Sequence, residues 1–268
     1  MSEVLLRNLT SKQVAEATEK GTILLIPVGQ TEEHGSHLAI GADSIIAENI
    51  AEEAARRVAG EIPVLVAPSI QYGYSNEIMR AWPGTFIVRP QVMIDLLVDV
   101  CCSAISMGFR KVAIVSGHGH HVGICRIAVR LVFDKVGVNV VVTQPHSFGK
   151  DAFAAARKSG PGGICHAGEY ETSVLMHLGH DVDLSVADDS DRLRFESKFV
   201  SCDGIGGDKA GSVFWSTWGL QKTASGALGD PTEASAETGK AVTEAILDDY
   251  AEFFREFYAF EGPLEPGE

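Results

Sequence analysis

The sequence predicts an α/β protein built around a mostly parallel sheet that is covered by helices on both faces. Two observations favour this fold. Short apolar runs alternate along the chain with longer segments of helical periodicity. The apolar runs are continuous, which is typical of strands that are buried on both faces of a parallel sheet. With 268 residues, the chain can form one large domain or two small ones.

The predicted elements follow one another as strand and helix. Four apolar runs are predicted strands, at residues 22–28, 63–68, 111–116 and 138–143. Helices are predicted at residues 43–57, 92–107, 122–136, 169–178 and 231–257. Asp43 stands at the start of the first of these helices, where it could act as the cap. Glycine and polar residues dominate residues 200–230, which predicts a long irregular loop that could form a wall of the active site.

Composition excludes several classes of partner. The formal net charge of −14 argues against broad binding to nucleic acids or anionic membranes. No apolar run reaches membrane-spanning length, and the first residues show no signal segment, so a cytoplasmic protein is expected. The five cysteines show no CxxC spacing, which predicts reduced, buried thiols. A nucleophilic Cys165, adjacent to His166, is the alternative for that residue.

Residues that bind metals are concentrated directly after the first predicted strand. Glu32 and His34 are two positions apart, so their side chains would face the same way in an extended segment. The carboxylate of Asp43 could reach two metal ions about 3.5–4 Å apart. Carboxylates combined with imidazoles suit Zn²⁺, Mn²⁺ or Fe²⁺. His37 is expected to make a loop contact, with metal ligation as the alternative.

Two further polar clusters follow later strands and helices. His118 comes directly after the third predicted strand and is a candidate ligand, whereas His120 could bind metal or substrate. In open parallel sheets, ligands bind beyond the carboxyl ends of the strands. Glu171 lies on a predicted helix and can supply another carboxylate. His166 can take and give protons near neutral pH, so it is the candidate proton donor for a leaving nitrogen.

Five motifs in the same order resemble the creatininase (creatinine amidohydrolase) family. They occupy residues 27–43, which include PVGQTEEHGSHL, and then residues 75–85, 116–121, 166–173 and 226–237. The resemblance implies a three-layer α/β/α sandwich that forms a single metal-dependent hydrolase domain over residues 1–268. It also implies a dinuclear metal site and hydrolysis of non-peptide C–N bonds, commonly in cyclic amides.

The resemblance also implies roles for individual residues. The family's metal ligands correspond to Glu32, His34, Asp43, His118 and Glu171, with Asp43 as the bridge. His166 corresponds to the proton-shuttle histidine. The expected substrate contacts, or supports of the ligands, are Ser75, His120 and Tyr170. The implied cofactors are two divalent metal ions, zinc paired with zinc, manganese or iron. A ring-like homo-oligomer, commonly a hexamer, is implied as well.

One departure from the family pattern concerns the substrate. His120 stands where true creatininases have a carboxylate, which argues against creatinine itself. The predicted function is therefore hydrolysis of a small amide, lactam or imide by a metal-bound hydroxide. The alternatives are a deformylase or amide hydrolase acting on a nucleotide-derived or modified-peptide intermediate, and a metal-binding assembly or sensor subunit without catalysis. A dinuclear phosphoesterase is disfavoured by the scarcity of basic residues in the clusters.

Overall fold

The computed structural model describes residues 3–201 and 211–261. At the centre of the described residues lies a parallel sheet with the strand order β2-β1-β3-β4. The strands are β1 (Ile23–Val28), β2 (Val64–Val66), β3 (Lys111–Ser116) and β4 (Val140–Thr143). All four predicted strands are therefore confirmed, although β2 and β4 are shorter than predicted.

Helices connect and flank the strands. They are α1 (Ser11–Glu19), α2 (Ala42–Val58), α3 (Pro90–Ser106), α4 (His121–Val136), α5 (Pro145–Phe148), α6 (Lys150–Ala156), α7 (Glu169–His177) and α8 (Ala236–Ala259). The predicted helices correspond to α2, α3, α4, α7 and α8. Helix α1 was missed: none of its residues is fully buried, and Val14 and Ala17 pack only partly buried against the core.

Alternate residues of β1 pack on opposite faces of the sheet. Ile23 and Leu25 belong to a core formed with α2, α7 and α8. Leu24 and Ile26 belong to a second core formed with α3 and α4. Because a strand directs successive side chains to opposite faces, a strand covered on both sides must be apolar throughout. The protein is therefore a three-layer α/β/α sandwich, and the predicted fold class is confirmed.

Between α7 and α8, the described residues are largely irregular, which agrees with the predicted loop at 200–230 where that loop is described. Its described parts contain short 3-10 helices at Leu184–Val186 and Thr217–Gly219. Residues 202–210, which include Cys202 of the predicted thiol set, lie outside the described residues. Helix α8 begins at Ala236, five residues later than predicted, because Ser235 caps it: the Ser235 hydroxyl accepts a hydrogen bond from the Thr238 amide at 3.1 Å.

The prediction of buried thiols is confirmed for Cys101 and Cys125 but is wrong for Cys102 and Cys165, which are half-buried. Cys101 and Cys125 are buried between the sheet and helices α3 and α4. Burial raises the pKa of each of these thiols to about 12.

Among the helices within residues 3–201 and 211–261, each is too short or too polar to cross a bilayer.

Candidate metal centre

The loops that follow β1 and β3 meet at one edge of the sheet. Val28 and Ser116, the last residues of these strands, are partners in the parallel register. The pairing continues for one residue, because the Gly117 amide donates to the Val28 carbonyl at 2.9 Å. The two loops bring Glu32 and His118 together, with His118 Nδ1 lying 3.3 Å from Glu32 Oε1.

The first turn of α2 packs directly against these strand ends, and two glycines make this possible. A Cβ atom at Gly29 would lie 2.3 Å from Ser44 Cα, and a Cβ at Gly117 would lie 2.4 Å from the Asp43 carbonyl oxygen. Both distances are far below van der Waals contact, so neither position can hold a side chain without movement of α2. This close approach places the buried Asp43 carboxylate at the strand ends.

Asp43 does not cap α2, so the capping alternative for this residue is wrong. The helix begins at Ala42, and its N-cap residue, Gly41, makes no side-chain cap hydrogen bond. The Asp43 carboxylate turns instead to two histidines. Its Oδ2 atom lies 2.8 Å from His118 Nδ1, and its Oδ1 atom lies 3.4 Å from His34 Nε2. One carboxylate therefore joins imidazoles from two different loops.

Helix α7 supplies a further carboxylate. Glu171 Oε2 lies 4.0 Å from His34 Nε2 and accepts a hydrogen bond from the Ala167 amide at 2.6 Å. Ala167 has a φ of 52°, in the left-handed region that residues with a side chain rarely adopt. This turn directs the Ala167 amide at Glu171 and so holds the carboxylate beside His34.

The candidate ligand atoms form three groups, and within each group all atoms lie within 4.8 Å of one another. The groups are Glu32–Asp43–His118, His34–Asp43–Glu171 and Glu32–His34–His166. Asp43 belongs to the first two groups and is positioned to bridge two cations. The structure thus brings together all five residues proposed as ligands from the sequence. Their binding of metal stays a prediction.

The chemistry of these groups fits divalent cations. His34 Nδ1 lies 3.1 Å from the Glu32 backbone carbonyl and donates to it, so Nε2 presents its lone pair toward Asp43 and Glu171. His34 Nε2 is buried and makes no hydrogen bond within the described part of the chain. A lone pair facing carboxylates in a buried site is repulsive unless positive charge lies between them.

The same contacts shift the pKa values of the site. Burial lowers the pKa of His118, but the Glu32 and Asp43 carboxylates outweigh burial and raise it to about 9. Burial raises the pKa of Asp43, but His118 and His34 reverse this effect and hold it well below its ordinary value. Both shifts have the same cause, the attraction between the imidazoles and the carboxylates that face them. Metal ions bound here would compete with protons for the imidazole nitrogens, because a ligating imidazole must be deprotonated.

His166 lies at the edge of the groups and is oriented by backbone contacts. Its amide and carbonyl pair with Leu228 at 3.0 and 2.9 Å, and its Nε2–H donates to the Glu33 carbonyl at 2.9 Å. Nδ1 therefore faces the carboxylates, 3.5 Å from Glu32 Oε1. Burial lowers the pKa of His166, but the neighbouring glutamates outweigh it and raise the pKa above its ordinary value.

Other residues singled out from the sequence lie behind the ligand groups. Ser75 is buried, and its hydroxyl donates to Glu32 Oε2, which holds that carboxylate in place. Tyr170 is buried in the core beside α2 and α8, with its ring packed edge-on against a phenylalanine. His37 makes the expected loop contact, from Nε2 to the Ala167 carbonyl at 3.0 Å. The roles of Ser75 and Tyr170 toward substrate stay predictions.

Trp218 borders the site and was missed in the sequence. Its ring centroid lies 5.4 Å from that of His166, and its indole nitrogen lies 3.2 Å from His120 Nε2. Trp218 is buried and belongs to the loop predicted to form a wall of the site. No local pattern could have linked Trp218 to His120, because the two residues are 98 positions apart.

The sandwich and its gathered carboxylates and imidazoles define an α/β protein with a candidate metal centre at the carboxyl ends of its strands. The chain belongs to the creatininase family: the family model, described as creatinine amidohydrolase, matches residues 7–254. A mycofactocin precursor peptide peptidase of Mycobacterium tuberculosis is 32% identical over 251 residues, which cover 91% of this chain and 88% of that protein.

One further relative and one solved structure are also similar to this chain. A creatinine amidohydrolase of Pseudomonas putida is 26% identical over 270 residues, which cover 94% of this chain and 96% of that protein. A solved structure described as "Creatininase Mn" superposes with a TM-score of 0.80 at 22% identity, over 96% of this chain and 100% of that chain. The resemblance inferred from the five motifs is therefore confirmed. The relatives are named for different substrates, a peptide and creatinine, so the family alone does not identify the substrate.

Proposed function

We propose that this protein is a dinuclear metal-dependent amidohydrolase that cleaves a C–N bond of a small amide, lactam or imide. The observation that carries the proposal is the Asp43 carboxylate, which directs one oxygen toward His118 and the other toward His34. A carboxylate shared in this way is typical of paired cations in hydrolytic sites. Membership of a hydrolase family supports the reaction class.

Each cation would have its own set of ligands. Glu32, Asp43 and His118 would hold one cation, and His34, Asp43 and Glu171 would hold the other. This donor set suits zinc, manganese or iron, and a creatininase of the same fold is described with Mn. When bound, two such cations would lower the pKa of water from about 15.7 toward about 7 and polarise the substrate carbonyl.

The residues of the chain would orient the reacting groups and move the proton. Ser75 steadies Glu32, and the Glu32 carbonyl fixes the ring of His34. His166 is anchored through Nε2, so Nδ1 is the atom that exchanges a proton in the site. His166 would take a proton from the attacking water and deliver it to the nitrogen as the C–N bond breaks. The water oxygen forms the new bond to carbon, so the atoms of the hydrolysis balance.

A modified peptide is the second candidate substrate. The peptidase relative is 32% identical to this chain, whereas the creatinine amidohydrolase is 26% identical. His120 also argues against creatinine as the substrate, because it occupies the place of a carboxylate in the creatininase motif. Cleavage of a peptide amide would use the same cations and the same proton transfer. Deformylation of a nucleotide-derived intermediate is a further amide reaction that the site could perform.

The proposal is tested with His166→Ala and a matched control, His180→Ala. His180 is exposed on the surface. Each purified variant is loaded with zinc or manganese, analysed for metal content, and assayed against cyclic amides and short peptides. We expect both variants to retain metal. We expect His166→Ala to lose turnover by about 10²–10⁴-fold, because general acid–base catalysis contributes this much, and His180→Ala to match the wild type.

Several outcomes would contradict the proposal. Equal turnover in His166→Ala would reject its role in proton transfer. Uptake of two metal ions by the wild type without hydrolysis of any amide would favour a non-catalytic assembly subunit. Turnover of a generic aryl phosphate would favour a dinuclear phosphoesterase. Two further expectations stay predictions: a homo-oligomer, commonly a hexamer in the family, and a cytoplasmic location. Sedimentation can test the oligomeric state.

A further inference from the structure

His120 differs from the neighbouring histidines because its partner is an indole. It directly precedes α4, and the Trp218 indole nitrogen lies 3.2 Å from its Nε2 atom. An indole N–H can donate a hydrogen bond but cannot accept one. His120 Nε2 must therefore accept with its lone pair, which places the proton of the neutral ring on Nδ1.

The Nδ1 atom of His120 is buried and has no hydrogen-bond partner within residues 3–201 and 211–261. A buried donor without a partner in the protein is costly, so an acceptor from outside the chain is expected. The reacting groups are close: the His120 ring lies 5.0 Å from that of His118, between centroids, and Trp218 also contacts His166.

Metal ligation does not account for His120. None of the three ligand groups found in the described residues contains it. A protonated Nδ1 has no lone pair to offer a cation, and the lone pair of Nε2 is taken by Trp218. Nδ1–H is therefore free to donate to an oxygen or nitrogen atom from outside the chain, and a bound substrate supplies such an atom.

We propose that Trp218 holds His120 in the Nδ1–H tautomer and that this N–H donates a hydrogen bond to the carbonyl oxygen of the substrate. The inference rests on the proposed amide hydrolysis and names the group of the substrate that His120 recognises. His120 is then a catalytic residue that touches the acyl group. Trp218 is a positioning residue that acts through His120.

This hydrogen bond would strengthen during the reaction. The carbonyl oxygen gains negative charge as the carbon becomes tetrahedral, and a donor that is already oriented stabilises this charge more than it stabilises the substrate. His120 transfers no proton in this step. The proton that balances C–N cleavage passes through His166, so the two histidines have separate tasks.

Three substitutions test the Nδ1–H donor of His120 separately from the rest of the imidazole ring. An asparagine side chain places its amide near the position of imidazole Nδ1, whereas a glutamine side chain reaches the position of Nε2. Trp218→Phe keeps one aromatic ring and removes the pyrrole ring that carries the N–H. We expect His120→Gln to lose about 10²-fold or more in kcat, as for removal of one oxyanion donor. We expect His120→Asn to retain most of the activity and Trp218→Phe to lie between the two, with KM nearly unchanged.

The tautomer is measured without substrate by ¹⁵N solid-state NMR on zinc-loaded, histidine-labelled protein. Protonated and unprotonated ring nitrogens give well-separated signals. The chain has nine histidines, and the signals that vanish in His120→Asn belong to His120. We expect a protonated Nδ1 and an unprotonated Nε2 in the wild type, and a mixture of tautomers in Trp218→Phe. Zinc content should equal that of the wild type in all three variants.

Three results would overturn the inference. They are an Nε2–H tautomer in the wild type, loss of zinc from His120→Asn, and equal losses of kcat in the asparagine and glutamine variants. If the wild type hydrolyses no amide, the proposed function fails and the substrate contact falls with it. The NMR spectra of wild type and Trp218→Phe would still decide whether the indole sets the tautomer, so the two failures are distinguishable.

Discussion

Gly117 sets the distance between β3 and the first turn of α2, so an added methyl group should displace Asp43. A Cβ atom at this position would lie 2.4 Å from the Asp43 carbonyl oxygen, whereas ordinary contacts begin at 3.4 Å. In Gly117→Ala, the start of α2 must therefore retreat by roughly 1 Å to restore van der Waals contact. The Asp43 carboxylate moves with it, because it belongs to the same turn.

A displacement of this size is large for a metal site, where ligand distances hold within about 0.2 Å. We expect zinc affinity to fall about 10–100-fold, the usual effect of disturbing a group that orients a ligand. Both ligand groups that contain Asp43 should be weakened. The overpacked methyl group should also cost about 1–3 kcal/mol of unfolding free energy. That loss would lower the Tm by about 2–4 °C for each kcal/mol.

Gly119→Ala is the matched control, because a Cβ atom at Gly119 would meet nothing within 4 Å. Zinc affinity is measured for both variants by competition with a chelator, well below the unfolding temperature, and the Tm is measured by calorimetry. Gly119→Ala should bind zinc like the wild type. If Gly117→Ala bound zinc as tightly as Gly119→Ala, the inference that α2 positions the bridging carboxylate would be refuted.

Two further predictions concern residues outside the metal centre. The buried Glu169 carboxylate accepts hydrogen bonds from the Lys158 and Ser159 amides. Glu169→Gln should therefore lower the free energy of unfolding, measured with urea, by about 1.5–3 kcal/mol. Its zinc affinity should be unchanged. A variant as stable as the wild type would contradict this prediction. Because burial raises the pKa of Cys101 and Cys125 to about 12, both should be almost entirely protonated near neutral pH. Peptide mapping should find them alkylated by iodoacetamide only after unfolding, and rapid labelling of the native protein would contradict their burial.

The sheet could be predicted from the sequence because its burial has a local signature. β1 and β3 are buried on both faces, so each appears as an unbroken apolar run. Since parallel strands end at the same edge, the residues that follow them were expected to lie together. Glu32 and His118 do so, with His118 Nδ1 3.3 Å from Glu32 Oε1. The predicted start of α8 was less accurate, because the true start depends on one capping hydroxyl, that of Ser235.

The role of Asp43 shows where local reasoning ends. A carboxylate at the start of a helix is compatible both with capping and with metal ligation, and the sequence alone supported either. The structure decides between them, because Gly29 and Gly117 let α2 approach so closely that the carboxylate reaches His34 and His118. This approach depends on the packing of a helix on two strands, which is a property of the assembled sandwich.

By itself, the sequence determined which segments become strands and which polar residues follow them, since burial and strand ends leave local patterns. Only the tertiary structure decided which atoms face one another. Asp43 is shared by two ligand groups because α2 docks on glycines, and His120 is oriented by Trp218 from a loop 98 residues away. Such contacts depend on the long-range packing of α2 and of the loop before α8, and no spacing within one segment encodes them.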